Sequence, residues 1–147
     1  MSINQIQDEI IEEFEAFDDW MDRYSLLIEM SNELTPFPES DRTPQNLIDG
    51  CQSKVWFTAH TAQNAEGRTV VVYNGDSDAL LVKGIVALLI RVLSGHTPKE
   101  IVETELYFID RIGLREHLSP TRSNGLAAML TQMKLYAQAF LALQHQA

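Results

Sequence analysis

The stretch Ala79 to Leu93 constrains this chain more than any other, because its fifteen positions are interrupted only by Lys83, Gly84 and Arg91. A helix that is apolar around most of its circumference has no side to give to water, so it belongs at the centre of a core. It is too short, and too interrupted by charge, to cross a bilayer. Gly84 inside it costs about 1 kcal/mol against alanine and points to close packing on a neighbour. A chain of 147 residues with 45% hydrophobic and 22% charged residues reads as one soluble domain spanning 1–147, large enough to bury such a helix. No basic region followed by an apolar segment opens the sequence, so a cytosolic location is expected.

Around that helix the periodicity changes twice. Val55, Phe57, Ala59 and Thr61 alternate with Trp56, Thr58 and His60, and Val70-Val71-Val72-Tyr73 follows beyond the turn-forming Gln63-Asn64-Ala65-Glu66-Gly67. This predicts an antiparallel hairpin. Upstream, Ser2 and Gln5 have the form of a capping box, and Ile3, Ile6, Ile10, Phe14 and Phe17 recur at helical spacing, with Glu9, Glu12, Glu13 and Glu15 outward. Asp18 or Asp19 is placed to cap a second helix whose buried stripe is Trp20, Tyr24, Leu27 and Ile28, and the two helices are expected to form a hairpin. Asn74 to Asp78 is expected to close the second strand, with Asp78 favouring the first turn of the helix that follows. Thr97-Pro98-Lys99-Glu100 predicts another helix start, with short helices over 98–105 and 107–118, and Ser119-Pro120 opens a final helix.

Charge is unevenly spread. Residues 1–50 hold 13 acids against Arg23 and Arg42, a balance of −11, whereas residues 51–147 are close to neutral at +1. An acidic field of this kind repels phosphate backbones, so nucleic-acid binding is not expected, and a basic protein partner suits it better.

Cys51 is the sole cysteine. A single sulfur excludes an intramolecular disulfide, a CxxC redox pair and a cysteine-rich zinc cage. It follows Gly50, which permits an unusual turn, and precedes the first strand. An unassisted thiol is only a few per cent ionised at neutral pH, so fast attack needs help. Help is available from the backbone N–H groups of the Gly50–Ser53 turn, from Lys54 or Arg122, or from a partner's active site. His60, His96, His117 and His145 are candidate bases, but none has a spacing that demands the role. No HExxH, phosphate-binding glycine loop or GxSxG occurs. Three readings follow from the residues: a thiol that borrows its activation from a partner, a cysteine hydrolase using Cys51 with a histidine base, and a non-catalytic interaction module using the acidic helices.

Four ordered segments carry a resemblance: Gly50-Cys51-Gln52-Ser53 with Val55-Trp56; Gly75-Asp76-Ser77-Asp78-Ala79; Lys83-Gly84; and Leu118-Ser119-Pro120-Thr121-Arg122-Ser123-Asn124-Gly125-Leu126. From about Trp20 to the final helix the chain resembles the SufE family, the cysteine-desulfurase acceptor proteins of iron–sulfur cluster assembly, with the related CsdE group. The resemblance implies an α+β fold similar to IscU-type scaffolds: an antiparallel sheet, the hairpin plus a third strand, with helices on one face. It implies that Cys51 accepts sulfur as a persulfide from a SufS/CsdA-type, pyridoxal-phosphate-dependent cysteine desulfurase, stimulates that enzyme, and delivers the sulfur to a SufBCD-type scaffold. No metal or cofactor is then expected on this chain, nor contact with a membrane, and its oligomeric state is monomer or weak homodimer. By the same resemblance Gly50, Gln52 and Ser53 shape the loop, Asp78 and Arg122 tie it to the helices behind or touch the desulfurase, and Trp56 covers it from the sheet. Met30-Ser31 stands where the family commonly has a glycine at the end of the second helix.

Overall fold

A computed structural model describes residues 1–146. The chain runs α1 (Ile3–Glu15), α2 (Trp20–Met30), β1 (Val55–Gln63), β2 (Thr69–Ser77), α3 (Leu80–Leu93), α4 (Pro98–Glu103), α5 (Phe108–Arg111), α6 (Leu114–His117) and α7 (Pro120–Gln146). This is the expected α+β class, and α3 lies at its centre, with Val82, Ile85, Val86, Leu88, Leu89, Val92 and Leu93 all buried. The sheet, α1, α2 and α7 all pack on α3, which is why a helix this apolar is stable there.

The first two helices depart from the expected hairpin: α2 rests mainly on α3, and α1 on α3 and α5, rather than on each other. At α2 the reason is Gly84. A Cβ there would fall 2.6 Å from the Leu27 carbonyl carbon, so the missing side chain lets the two backbones meet. At α1 the buried stripe Ile3, Ile10, Ile11 and Phe14 joins the core, and an ion-pair cluster adds to it. Glu9 and Glu13, expected to face water, both turn to Arg91 of α3, with Nη2 to Glu9 Oε1 at 2.8 Å and Nη1 to Glu13 Oε1 at 3.1 Å. The capping box of Ser2 and Gln5 forms, but α1 ends at Glu15 and leaves Phe17 39% exposed. On α2 the burial falls on Leu27 and Met30, while Ile28 is exposed. No left-handed glycine is needed at the end of α2, because Ser31 keeps a right-handed φ of −59° and the chain tightens into a 3-10 turn, Ser31–Glu33.

β1 and β2 pair antiparallel, from Val55 opposite Ser77 to Gln63 opposite Thr69. The expected third strand does not form among the described residues. Its place is taken by single bridges on the two outer edges, Leu47 with Trp56 and Val71 with His96. Neither flank has room for more: the 3-10 turn Pro44–Asn46 ends just before Leu47, and Gly95, with φ of +84°, precedes a helix cap at Thr97. β2 also runs past its expected end, since Asn74 to Ser77 stay in the ladder. Asp78 therefore does not cap α3, whose N-cap is Ala79 with no side-chain hydrogen bond.

Helices cover one face of this ribbon. Tyr73 on β2 donates its hydroxyl to Met133 O of α7 at 2.6 Å. The expected helix over 107–118 breaks into α5 and α6 at Gly113, whose φ is +73°. By length and composition α7 would suit a bilayer crossing, but Leu126, Met129, Met133 and Ala137 are spent on the protein core.

Candidate functional site

The site is a short span of chain held at both ends. Upstream, Ile48 N–H donates to Val55 O at 2.9 Å, which closes the backbone around Cys51. Downstream, the Asp78 carboxylate accepts from Lys54 N–H at 3.0 Å, Asp78 N–H donates to Lys54 O at 3.2 Å, and the Ser77 hydroxyl donates to the same oxygen at 2.8 Å. Asp49 to Ser53 lie between these clamps in neither strand nor helix. Gly50 turns the span with φ of +92°, a value that a side chain disfavours.

Cys51 is half-buried and its sulfur points at α7, where the thiol donates to Gly125 O at 3.6 Å. A Cβ on Gly125 would lie 3.3 Å from that sulfur, so a residue without a side chain makes the seat. Beside it opens a cavity of about 220 Å³. Val82 and Ile85 of α3 with Met129 of α7 give it apolar walls; Gln52, Ser53, Ser119, Thr121 and Arg122 supply the polar ones. Burial pushes the Cys51 thiol above its ordinary pKa, so at neutral pH the resting sulfur is protonated.

Gly50, Gln52 and Ser53 thus form the loop itself, with the latter two on the cavity, and Asp78 clamps the backbone behind it. Arg122 stands exposed on the cavity, and among the described residues its guanidinium forms no ion pair. Trp56 does not cover the cysteine. Trp56 is buried, as Val55 and Phe57 are, but it lies outside the main core cluster and off the cavity, and Arg42 stacks over its ring at 4.9 Å.

Two groups went unread in the sequence. The first is the apolar wall of Val82 and Ile85 from α3 and Met129 from α7, whose meeting beside Cys51 leaves no local trace. The second is a charge cluster on β2. The Asp76 carboxylate binds the Arg42 guanidinium through Oδ2, and Lys83 Nζ stands 3.4 Å from Oδ1 without aligning as a hydrogen bond. Burial raises this carboxyl, but the Arg42 hydrogen bond, the Ser77 backbone hydrogen bond and the two cations outweigh it and leave its pKa below the usual range. The cluster ties the segment ahead of Cys51 to the sheet.

Among the described residues no histidine lines the cavity. His117 stacks on Trp20 with ring centroids 3.9 Å apart and its Nδ1 on Gly113 O; His96 is buried with Nε2 on Met1 O; His60 and His145 are exposed on β1 and α7. A hydrolase built on Cys51 has no base within this arrangement. Among the described residues no three His, Cys, Asp or Glu side chains gather where a metal ion would be held.

Comparison with known proteins places this geometry in context. Residues 8–137 match the family model described as SufE, Fe-S metabolism associated domain. An uncharacterized SufE-like protein of Rhizobium meliloti is 39% identical over 132 residues, covering 89% of this chain and 94% of that protein. One from Rhizobium etli is 41% identical over 128 residues, covering 86% of each. The solution structure of a hypothetical protein from Thermus thermophilus superposes with a TM-score of 0.71 over 93% of this chain and 96% of that one, at 22% identity, a likeness of fold.

Proposed function

Because this chain belongs to the SufE family, whose domain is associated with Fe-S metabolism, we propose that Cys51 accepts sulfur from a cysteine desulfurase and carries it as a persulfide. The desulfurase, of the SufS/CsdA type and dependent on pyridoxal phosphate, presents an outer sulfur bonded to its own cysteine. The Cys51 thiolate attacks that outer sulfur; the new S–S bond forms as the old one breaks, and the desulfurase cysteine leaves as a thiolate that takes up the proton Cys51 gave away. One sulfur moves, and there is no net oxidation. Clearing the desulfurase frees it for another turnover, and Cys51 hands its cargo to a SufBCD-type scaffold. The chain carries no cofactor of its own and acts in the cytosol.

The observation that supports this reading is a lone thiol at an open cavity on a clamped span, with no histidine beside it among the described residues. A carrier borrows its activation from the partner's site, whereas a hydrolase must own it. The protein incubated with a cysteine desulfurase and free cysteine is expected to gain one sulfur atom at Cys51, removable by a thiol reductant, in mass spectra. Desulfurase turnover with no such adduct at Cys51 would overturn the reading.

A kinetic expectation follows from burial. In the free protein the alkylation rate of Cys51 is expected to rise with pH around a midpoint above the ordinary thiol value of about 8.5, because the seated sulfur resists ionisation. Adding desulfurase that cannot turn over is expected to speed alkylation at neutral pH, as docking draws the sulfur out of its seat. Equal rates with and without the partner would count against an outward swing.

A further inference from the structure

Among the described residues, the hydrogen bond that ties the span Asp49–Ser53, between the clamps at Ile48 and Lys54, to another element is the one from the Cys51 thiol to Gly125 O. The donor in that bond is the hydrogen of the reacting sulfur itself. We propose that this hydrogen is the latch of the loop: the span stays closed while Cys51 is a thiol, and it opens once the sulfur is ionised or sulfurated. The inference deepens the sulfur-acceptor reading and rests on it for its purpose.

The physical argument concerns what faces Gly125 O in each state. A thiol offers a donor at 3.6 Å. A thiolate in the same seat would set an anion against a carbonyl oxygen, half out of water, with no proton between them, and both groups would lose. Each pKa unit by which the closed seat disfavours the anion shifts the loop about tenfold toward opening once it ionises. A persulfide loses the contact for a second reason. Its inner sulfur is bonded to sulfur and has no hydrogen, and its outer sulfur, more acidic than a thiol, is an anion at neutral pH.

The surroundings decide where that anion goes. From α3 the cavity receives only Val82 and Ile85, and from α7 Met129 adds a third apolar side chain. The charged side chain on the cavity is Arg122 of α7; Asp49 and Lys54 flank the cysteine on its own loop, and the Asp78 carboxylate is engaged with Lys54 N–H. Space does not expel the cargo, since about 220 Å³ admits one more sulfur atom. Charge breaks the tie instead: the anion leaves Gly125 O for the polar wall formed by Arg122, Ser119 and Thr121, and the span loses its hold on Gly125. An empty carrier is then closed and unreactive, and a loaded one presents its sulfur to an acceptor.

Amide hydrogen exchange of the peptide containing Asp49–Ser53 tests this at neutral pH with no desulfurase present. Inorganic polysulfide loads the protein directly: the Cys51 thiolate takes one sulfur from a chain of n sulfurs and releases the dianion of n−1. Cys51 being the sole cysteine, only this site responds. The loaded wild type and the Cys51→Ala variant are both expected to exchange several-fold faster than the thiol protein in this span, with β2 unchanged in all three. A loaded span that exchanges at the thiol rate or slower overturns the proposal, as does a Cys51→Ala span at the wild-type rate. Loading by polysulfide separates the two readings: failure here leaves sulfur acceptance from a desulfurase standing, and failure of enzymatic loading leaves the latch measurable.

Discussion

Cys51→Ser is expected to return a cysteine desulfurase to the turnover it has alone, at every concentration of the variant, while thermal stability changes by less than about 1 kcal/mol. The two halves of this expectation come from different atoms. A serine hydroxyl is not ionised at neutral pH and does not take sulfur from a persulfide, so the acceptor chemistry is lost outright. The fold does not depend on the sulfur, because the span around it is held by Ile48, Lys54, Ser77 and Asp78. Alanine production by the desulfurase, followed with increasing amounts of wild type or variant, measures the first half, and a melting curve the second. A serine variant that still stimulates would show that this protein acts by docking and not by removing sulfur.

Gly84→Ala is expected to cost about 2–3 kcal/mol and to lower the melting temperature by roughly 10 °C. Alanine favours a helix over glycine by about 1 kcal/mol, and at an exposed position the change would stabilise. Here the added carbon meets the Leu27 carbonyl, which is backbone and has no rotamer to yield. Either α2 backs away, loosening Leu27 and Met30, or α3 shifts and carries Val82 and Ile85 with it, one turn or less from Gly84 and on the cavity beside Cys51. Chemical denaturation with an unchanged m-value checks the stability loss. An alanine variant as stable as the parent would mean that the two helices slide without cost.

These two positions also show how far the residues alone can be read. Both were visible as letters: a glycine where a helix former was due, and one cysteine after a glycine. Capping chemistry was equally legible, since the boxes at Ser2 with Gln5 and Thr97 with Glu100 both form. What misled were features whose meaning depends on a remote neighbour. Glu9 and Glu13 look like a solvated face until Arg91 arrives from 82 and 78 residues away. Asn74 to Asp78 reads as a strand terminator, yet β1 supplies partners that keep Asn74 to Ser77 in the ladder.

By itself the sequence determined the central helix, the hairpin after the cysteine and the one sulfur on which the proposed chemistry turns, while its resemblance to the SufE family implied the α+β class. Hydrophobic period, turn residues and caps act over a few positions, so they are written where they operate. Only the tertiary structure decided what surrounds that sulfur. Cys51 meets Gly125 across 74 residues and Arg42 meets Asp76 across 34, and neither spacing carries a period. Such contacts arise from how elements dock on a shared core, where close packing leaves few arrangements that fit.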